Sequence, residues 1–169
     1  YDFKIKNQDS LTIEIYRKRP INISYLLSTL TYLNVANMEI FTLFDGVKYF
    51  KIDFIKNIDD NELMDVQKVI DDSFDMSKKI IVREITIKEE EINFDCEHSL
   101  THAELNVQTK NQKGLLSFIM NCFEELGINI VTAKIYSSKD KAKDSFLLDK
   151  QNNICNNGDK ILKSLTKGN

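Results

Sequence analysis

The strongest constraint on this chain is that its apolar and polar residues run through the same order twice. Residues 11–16 (LTIEIY) alternate as a half-buried strand does, and after a polar break at residues 17–20, Ile23, Leu26, Leu27 and Leu30 recur at helical spacing. Residues 35–44 and 47–55 read as two strands joined at Asp45-Gly46, a hairpin turn pair. Residues 61–74 place Leu63, Val66, Val69 and Ile70 on one helical face, with Asn61 as the expected N-cap. The second half repeats this order. Residues 103–109 (AELNVQT) form a strand and residues 110–113 a polar loop. Leu115, Leu116, Phe118, Ile119, Cys122, Phe123 and Leu126 then make a helical stripe that stops at Gly127, a natural residue just past a helix end. Residues 128–136 and 142–148 are the next two strands, and residues 159–165 a final short helix. The copies lie roughly 92–95 residues apart.

Each copy is preceded by a further short alternating segment, residues 2–6 and 92–96. We expect each leading segment to pair with the first core strand of its copy, so that each sheet gains its fourth strand from the front. The expected fold is α+β: two ferredoxin-like domains, each an antiparallel four-stranded sheet with two helices on one face. The first domain spans 1–76, an ordered connecting segment 77–90, and the second domain 91–169, with its leading strand at 92–96. Residues 77–87 (SKKIIVREITI) are too apolar for a flexible linker. Glu89-Glu90-Glu91 reads as a solvated turn.

Composition narrows the function. At 169 residues, 42% hydrophobic and a net charge of −3, the chain is long and apolar enough to fold around two cores. Its 23 basic and 26 acidic residues supply no electrostatic drive toward nucleic acid or anionic lipid, so neither is an expected partner. No stretch approaches the roughly 20 apolar residues that span a bilayer, and Tyr1-Asp2-Phe3-Lys4-Ile5-Lys6 lacks the layout of a signal peptide; the expected location is cytoplasmic. The chain does not begin with Met, and we expect a fragment whose catalytic machinery lies upstream. Five Gly and one Pro leave little material for phosphate-cradling loops, and no catalytic residue is assigned.

Cys96, Cys122 and Cys155 are odd in number and without close pairing, which suits a reducing compartment, and Cys122 on the apolar stripe reads as a core residue. Cys96, Glu97, His98 and His102 are metal-capable, yet strand alternation scatters them and only three are soft ligands; we read a polar turn and expect no metal. Arg17, Lys18 and Arg19 read as a solvated basic loop. Tyr16, Phe41, Tyr49, Phe50 and Phe54 fall on strand positions, where core and cross-strand packing account for them.

The second copy, ELNVQTKNQKGLLSFIMNCFEELGINIVTAKIYSS, resembles the ACT domain, a small amino-acid-binding regulatory module. The resemblance rests on Asn111-Gln112-Lys113-Gly114-Leu115-Leu116 and continues through Leu126-Gly127-Ile128-Asn129-Ile130. The first copy, Arg17-Lys18-Arg19-Pro20-Ile21-Asn22-Ile23, matches more weakly, with Asn22 near the glycine position. Two ACT units and a connecting stretch resemble the C-terminal region of bacterial PII-protein uridylyltransferases. That resemblance implies a glutamine sensor without catalysis of its own. Its upstream domains would use Mg and a nucleoside triphosphate and act on a PII-type signal protein. ACT sheets commonly pair edge to edge, which implies an ACT-ACT contact or a homodimer.

The physical reading of the glycine loop is compatible with that implication. A loop entering a helix presents unpaired N–H groups and the positive end of the helix dipole, which suits a carboxylate. Gly114 admits close approach by a ligand or a neighbouring chain segment, and Asn111 and Gln112 carry side-chain amides. The expected ligand-binding residues are Asn111, Gln112, Lys113, Gly114 and Leu115, with Asn129 and Ile130 as a facing wall by family analogy. Arg19, Pro20, Ile21 and Asn22 form the second candidate ligand loop. The alternative is a non-liganded module that docks or dimerises a larger enzyme.

Overall fold

The computed structural model describes residues 2–43, 45–81 and 83–166. Phe44, an expected strand end, and residues 167–169 at the expected end of the second domain lie outside these. The first unit contains β1 (Phe3–Asn7), β2 (Leu11–Arg17), α1 (Ile23–Thr29), β3 (Val35–Thr42), β4 (Lys48–Phe54) and α2 (Asp60–Asp72). The second contains β5 (Ile92–Asp95), β6 (His102–Lys110), α3 (Leu115–Glu125), β7 (Ile130–Ser137), β8 (Lys141–Asp149) and α4 (Gly158–Leu165). A 3₁₀ turn at Glu89–Glu91 leads into β5, and a 3₁₀ segment at Gln151–Asn157, which periodicity does not reveal, leads into α4.

Local sequence accounts for the element ends. The α2 cap is Asp59 rather than the expected Asn61: its Oδ1 accepts from the Glu62 backbone N–H at 2.8 Å, while the Glu62 carboxylate accepts from the Asp59 N–H. Asp59-x-x-Glu62 is a reciprocal capping box, which satisfies two orphan donors at once and so outcompetes an Asn two residues later. At the end of α3, Gly127 takes φ +67° and lets the Ile128 N–H reach back to the Phe123 carbonyl at 2.9 Å. A side chain at that φ would be strained, which is why the helix stops there.

Each leading segment pairs antiparallel with the first core strand of its unit, β1 with β2 and β5 with β6. The resulting four-stranded sheets then join through β3 and β7 into a single antiparallel sheet of order β1-β2-β4-β3-β7-β8-β6-β5. The edge-to-edge contact expected of such units is therefore made within the chain. The helices cover one face, where Leu11, Ile13, Ile15, Met38, Ile40 and Ile52 of the first unit are buried with Leu105, Val107, Ile135 and Phe146 of the second. Phe123 of α3 meets Phe146 of β8 edge to face, with ring centroids 5.0 Å apart. Among the described residues no helix is long and apolar enough to cross a membrane.

The fold corrects several sequence expectations. Cys96 and Cys155 form a disulfide with Cα atoms 6.0 Å apart, because the turn after β5 folds onto the 3₁₀ segment before α4. Cys122 is a buried core thiol, as its place on the stripe predicted. Arg17 is not a solvated loop residue: it ends β2, is buried, stacks its guanidinium 3.8 Å over the Phe74 ring and faces Asp2. Lys18 and Arg19 are exposed. Tyr16, Tyr49 and Phe41 lie on the open face of the sheet rather than in the core, stacked across three strands with centroids 4.9 and 6.3 Å apart, while Phe50 and Phe54 are buried. His98 pairs with Glu104 at 3.0 Å and His102 bonds Thr101, so with Cys96 oxidised the metal-capable stretch is dispersed.

Candidate functional site

The β3–β7 junction creates a cleft of about 560 Å³ where the two units meet. One wall is the β6–α3 loop of the second unit, from Asn111 to Ser117; the other is the end of α1 and the start of β3 in the first unit, from Leu30 to Val35. The floor carries Ile135 of β7 with Ala142 and Asp144 of β8, and Lys113 and Lys139 stand among the lining residues.

Of the residues singled out in the sequence, Asn111, Gln112, Lys113, Gly114 and Leu115 all line this cleft. Their chemistry is partly spent on the protein itself. The Asn111 amide donates to the Ser138 carbonyl at 2.9 Å. The Gln112 side chain makes a two-way bond with Thr86, donating to its carbonyl at 2.8 Å and accepting from its N–H at 2.9 Å. The 77–87 connector is thereby clamped to the loop. Ile85 and Ile87 are buried beside it, which is why an apolar connector behaves as part of the core. Gly114 has φ +87°, and a Cβ placed there would lie 2.5 Å from Cδ of Arg83. The close approach that Gly114 permits is thus made by the connector's own Arg83, whose Nη2 also donates to Thr31 Oγ1 on the opposite wall at 2.7 Å. Arg83 therefore spans the two lips of the cleft.

Gly114 is also the N-cap residue of α3 and offers no side chain to the first-turn N–H groups. The Leu115 N–H bonds the Gln112 carbonyl and the Phe118 N–H the Gly114 carbonyl, so the intervening turn, Leu116 and Ser117, faces the cleft without a side-chain cap. Such a helix start attracts an anion.

Asn129 and Ile130 do not join this cleft. They hold Lys48 across the unit boundary, with the ammonium 2.9 Å from Asn129 Oδ1 and 3.2 Å from the Ile130 carbonyl, and burial lowers the pKa of that lysine. The wall facing the glycine loop is instead built from their counterparts in the other unit, Asn34 and Val35. Edge-to-edge pairing exchanges the walls between units, and the repeat itself was the signal that pointed to Asn34 and Val35. The second loop is divided, with Arg19 and Pro20 exposed. Asn22 caps α1 by accepting from the Tyr25 N–H at 3.2 Å and donates to the Lys78 carbonyl at 2.9 Å; Ile21 is buried, and none of Arg19, Pro20, Ile21 or Asn22 lines the cleft.

Asp144 is the residue that sequence reasoning missed. Alternation along β8 puts Ala142, Asp144, Phe146 and Leu148 on the helix-covered face. Asp144 is 2% exposed, neither carboxylate oxygen has a hydrogen-bond partner among the described residues, and burial pushes its pKa up to about 7.

Residues 101–162, within the second unit, match the family model of the plant bHLH transcription factor ACT-like domain. Among solved structures, aspartate kinase from Synechocystis superposes with a TM-score of 0.55 at 14% identity, covering 95% of this chain and 27% of that one. The chain thus spans about a quarter of the kinase's length and shares its fold there. An unknown protein from Galdieria sulphuraria aligns over 93% of this chain and 91% of its own at 14% identity, with a TM-score of 0.33. No curated protein matches the sequence. The second unit is accordingly similar to that ACT-like domain, and the whole chain has an α+β fold of two ferredoxin-like repeats.

Proposed function

We propose that this chain is a regulatory module that binds an amino acid in the cleft between its two units and is not itself catalytic. One observation carries the reading: the junction of the two repeats leaves a cleft with a cationic rim (Lys113, Lys139, and Arg83 bridging its lips), an uncapped helix start and a buried carboxyl, Asp144, on its floor. A zwitterion satisfies both ends. Glutamine is the favoured member, on the resemblance of the tandem repeat to PII uridylyltransferases. In the same reading, upstream catalytic domains with their Mg and nucleoside triphosphate, a PII-type partner protein and a cytoplasmic setting belong to the parent. Because the cleft has one wall from each unit, a ligand stabilises one relative packing of the units, and only that difference in affinity can be passed on to attached domains. Calorimetric titration of the chain with glutamine and the other common amino acids tests the proposal. Heat and a thermal shift support it; neither, at millimolar ligand, overturns it.

A second reading has its own observation. The Gln112–Thr86 clamp and Arg83 over Gly114 fill part of the loop from within, as in a docking or dimerisation module that needs no ligand. Gly114→Val separates the two: a lost ligand response with assembly unchanged supports sensing, and lost assembly alone supports docking.

A further inference from the structure

The sheet places one acidic side chain where a soluble fold gains nothing from it. On the helix-covered face of β8, Asp144 stands between the cross-strand partners Val107 and Ile135, both apolar and buried. Its two carboxylate oxygens are buried and have no hydrogen-bond partner among the described residues. The upward shift of its pKa comes from burial, with no neighbouring charge contributing. An unpaired buried carboxylate is strongly unfavourable unless a partner arrives. A valine or leucine would fill the position without that penalty, as Ile135 and Val107 do on either side. Asp144 lies on the floor of the cleft beside Ile135 and Ala142, and of these floor residues it alone carries a polar side chain.

We infer that Asp144 is the residue that selects the ligand by its charge, accepting hydrogen bonds from an ammonium group, so that the cleft takes organic amines and rejects otherwise matching compounds that lack one. The assignment rests on the amino-acid reading for the rest of the ligand, but the ammonium contact stands on the geometry of Asp144 alone. The cationic groups at the rim divide the work with it. Lys113, Lys139 and the start of α3 favour the anionic end of a ligand, and the floor favours the cationic end. A bound ammonium would be enclosed among Ile135, Ala142 and Leu115, where a charge-assisted hydrogen bond is stronger than in water.

The test uses the full chain and two probe sets: glutamine and the other common amino acids beside glutaramate, which is glutamine without its α-amine, and the diamines putrescine and cadaverine. Each is titrated calorimetrically into the wild type and into Asp144→Asn, with thermal melting of the variant as the check on its fold. The expected result is that glutaramate binds about 10- to 100-fold more weakly than glutamine, and that Asp144→Asn loses about the same factor for glutamine and abolishes the discrimination. If amino acids bind and the variant binds them as the wild type does, the Asp144 assignment is overturned and the amino-acid reading survives. If only the diamines bind, and only with Asp144 intact, the assignment stands and the amino-acid reading falls. If neither probe set binds, both fall. Carboxyl ¹³C spectroscopy supplies a second readout, since bound amine must move the Asp144 resonance; an unmoved resonance in the presence of bound ligand also overturns the assignment.

Discussion

Asp144 makes stability depend on pH in an unusual direction. Its carboxyl has an ordinary value of 3.8 when exposed and about 7 in the fold. Below about pH 4 both states carry the proton and burial of the neutral acid costs little. As pH rises from there toward 7, the unfolded chain releases its proton first, so stability falls, and it levels off above 7. The full difference is on the order of 4 kcal/mol. Asp144→Asn should therefore stabilise the chain at pH 8 relative to wild type by about 3–4 kcal/mol more than it does at pH 4, as measured by urea unfolding at the two pH values. An identical gain at both would show that the carboxylate is compensated. Gly114 makes the second residue-scale case. Gly114→Ala forces a side chain to φ +87° and into Arg83, and should cost about 1–3 kcal/mol. In an Arg83→Ala background the clash is gone and only the backbone strain is left, so the cost should shrink; equal costs in both backgrounds would remove Arg83 from the account. Gly114 stood out in the sequence because glycine is scarce there. Asp144 did not, although Ala142-x-Asp144-x-Phe146-x-Leu148 placed an acid on an apolar stripe.

At the scale of elements, spacing was informative wherever the governing interaction was local. Alternation marked the strands and their leading partners, the helical stripe marked α3, and Asp59-x-x-Glu62 contained the α2 cap in plain view although Asn61 was the first polar residue to suggest itself. Interactions between distant elements left no such mark. Cys96 and Cys155 are separated by 59 residues, and only the folding of the β5 turn against the 3₁₀ segment brings them together. The Gln112–Thr86 clamp is equally invisible, since an amide in a loop next to glycine reads as a ligand contact until a partner strand or strap is placed beside it. The disulfide ties the front edge of the second unit to the segment that leads into α4, and closing so long a loop restricts the unfolded chain more than the folded one. Its removal by Cys96→Ser with Cys155→Ser should lower stability by about 2–4 kcal/mol. Urea unfolding with and without reductant checks this: the wild type should fall to the level of the double variant on reduction, and the variant itself should not respond. A wild type indifferent to reductant would mean that the bridge contributes nothing.

In the whole molecule the two copies pair symmetrically across the β3–β7 ladder, and the centre of that symmetry falls on two oppositely charged residues. The bulge in β3 between Val35 and Asn37 matches the bulge in β7 between Ile130 and Thr132, so Glu39 and Lys134 occupy equivalent positions. In the β3–β7 ladder they are also direct partners, flanked by Met38 opposite Ile135 and Ile40 opposite Ala133 on the buried face. Two like units that pair edge to edge about a twofold set the same residue against itself at the centre. A homodimer of first units would oppose Glu39 to Glu39, and one of second units Lys134 to Lys134. Like charges directly opposite on a sheet are unfavourable by about 0.2–1 kcal/mol, and opposite charges favourable by a similar amount. The sequence difference at this one pair therefore favours the unlike pairing, while the apolar partners beside it are compatible with any of the three. Residues 2–76 and 77–166, produced separately and mixed, should form the unlike dimer in preference to either homodimer, as counted by native mass spectrometry. Lys134→Glu in the second segment should erode that preference, because the unlike pair then also meets as two carboxylates. Segments that fail to associate, or that self-pair as readily as they cross-pair, would show that the junction is held by the connector and the α1–α3 packing rather than by the strand edge.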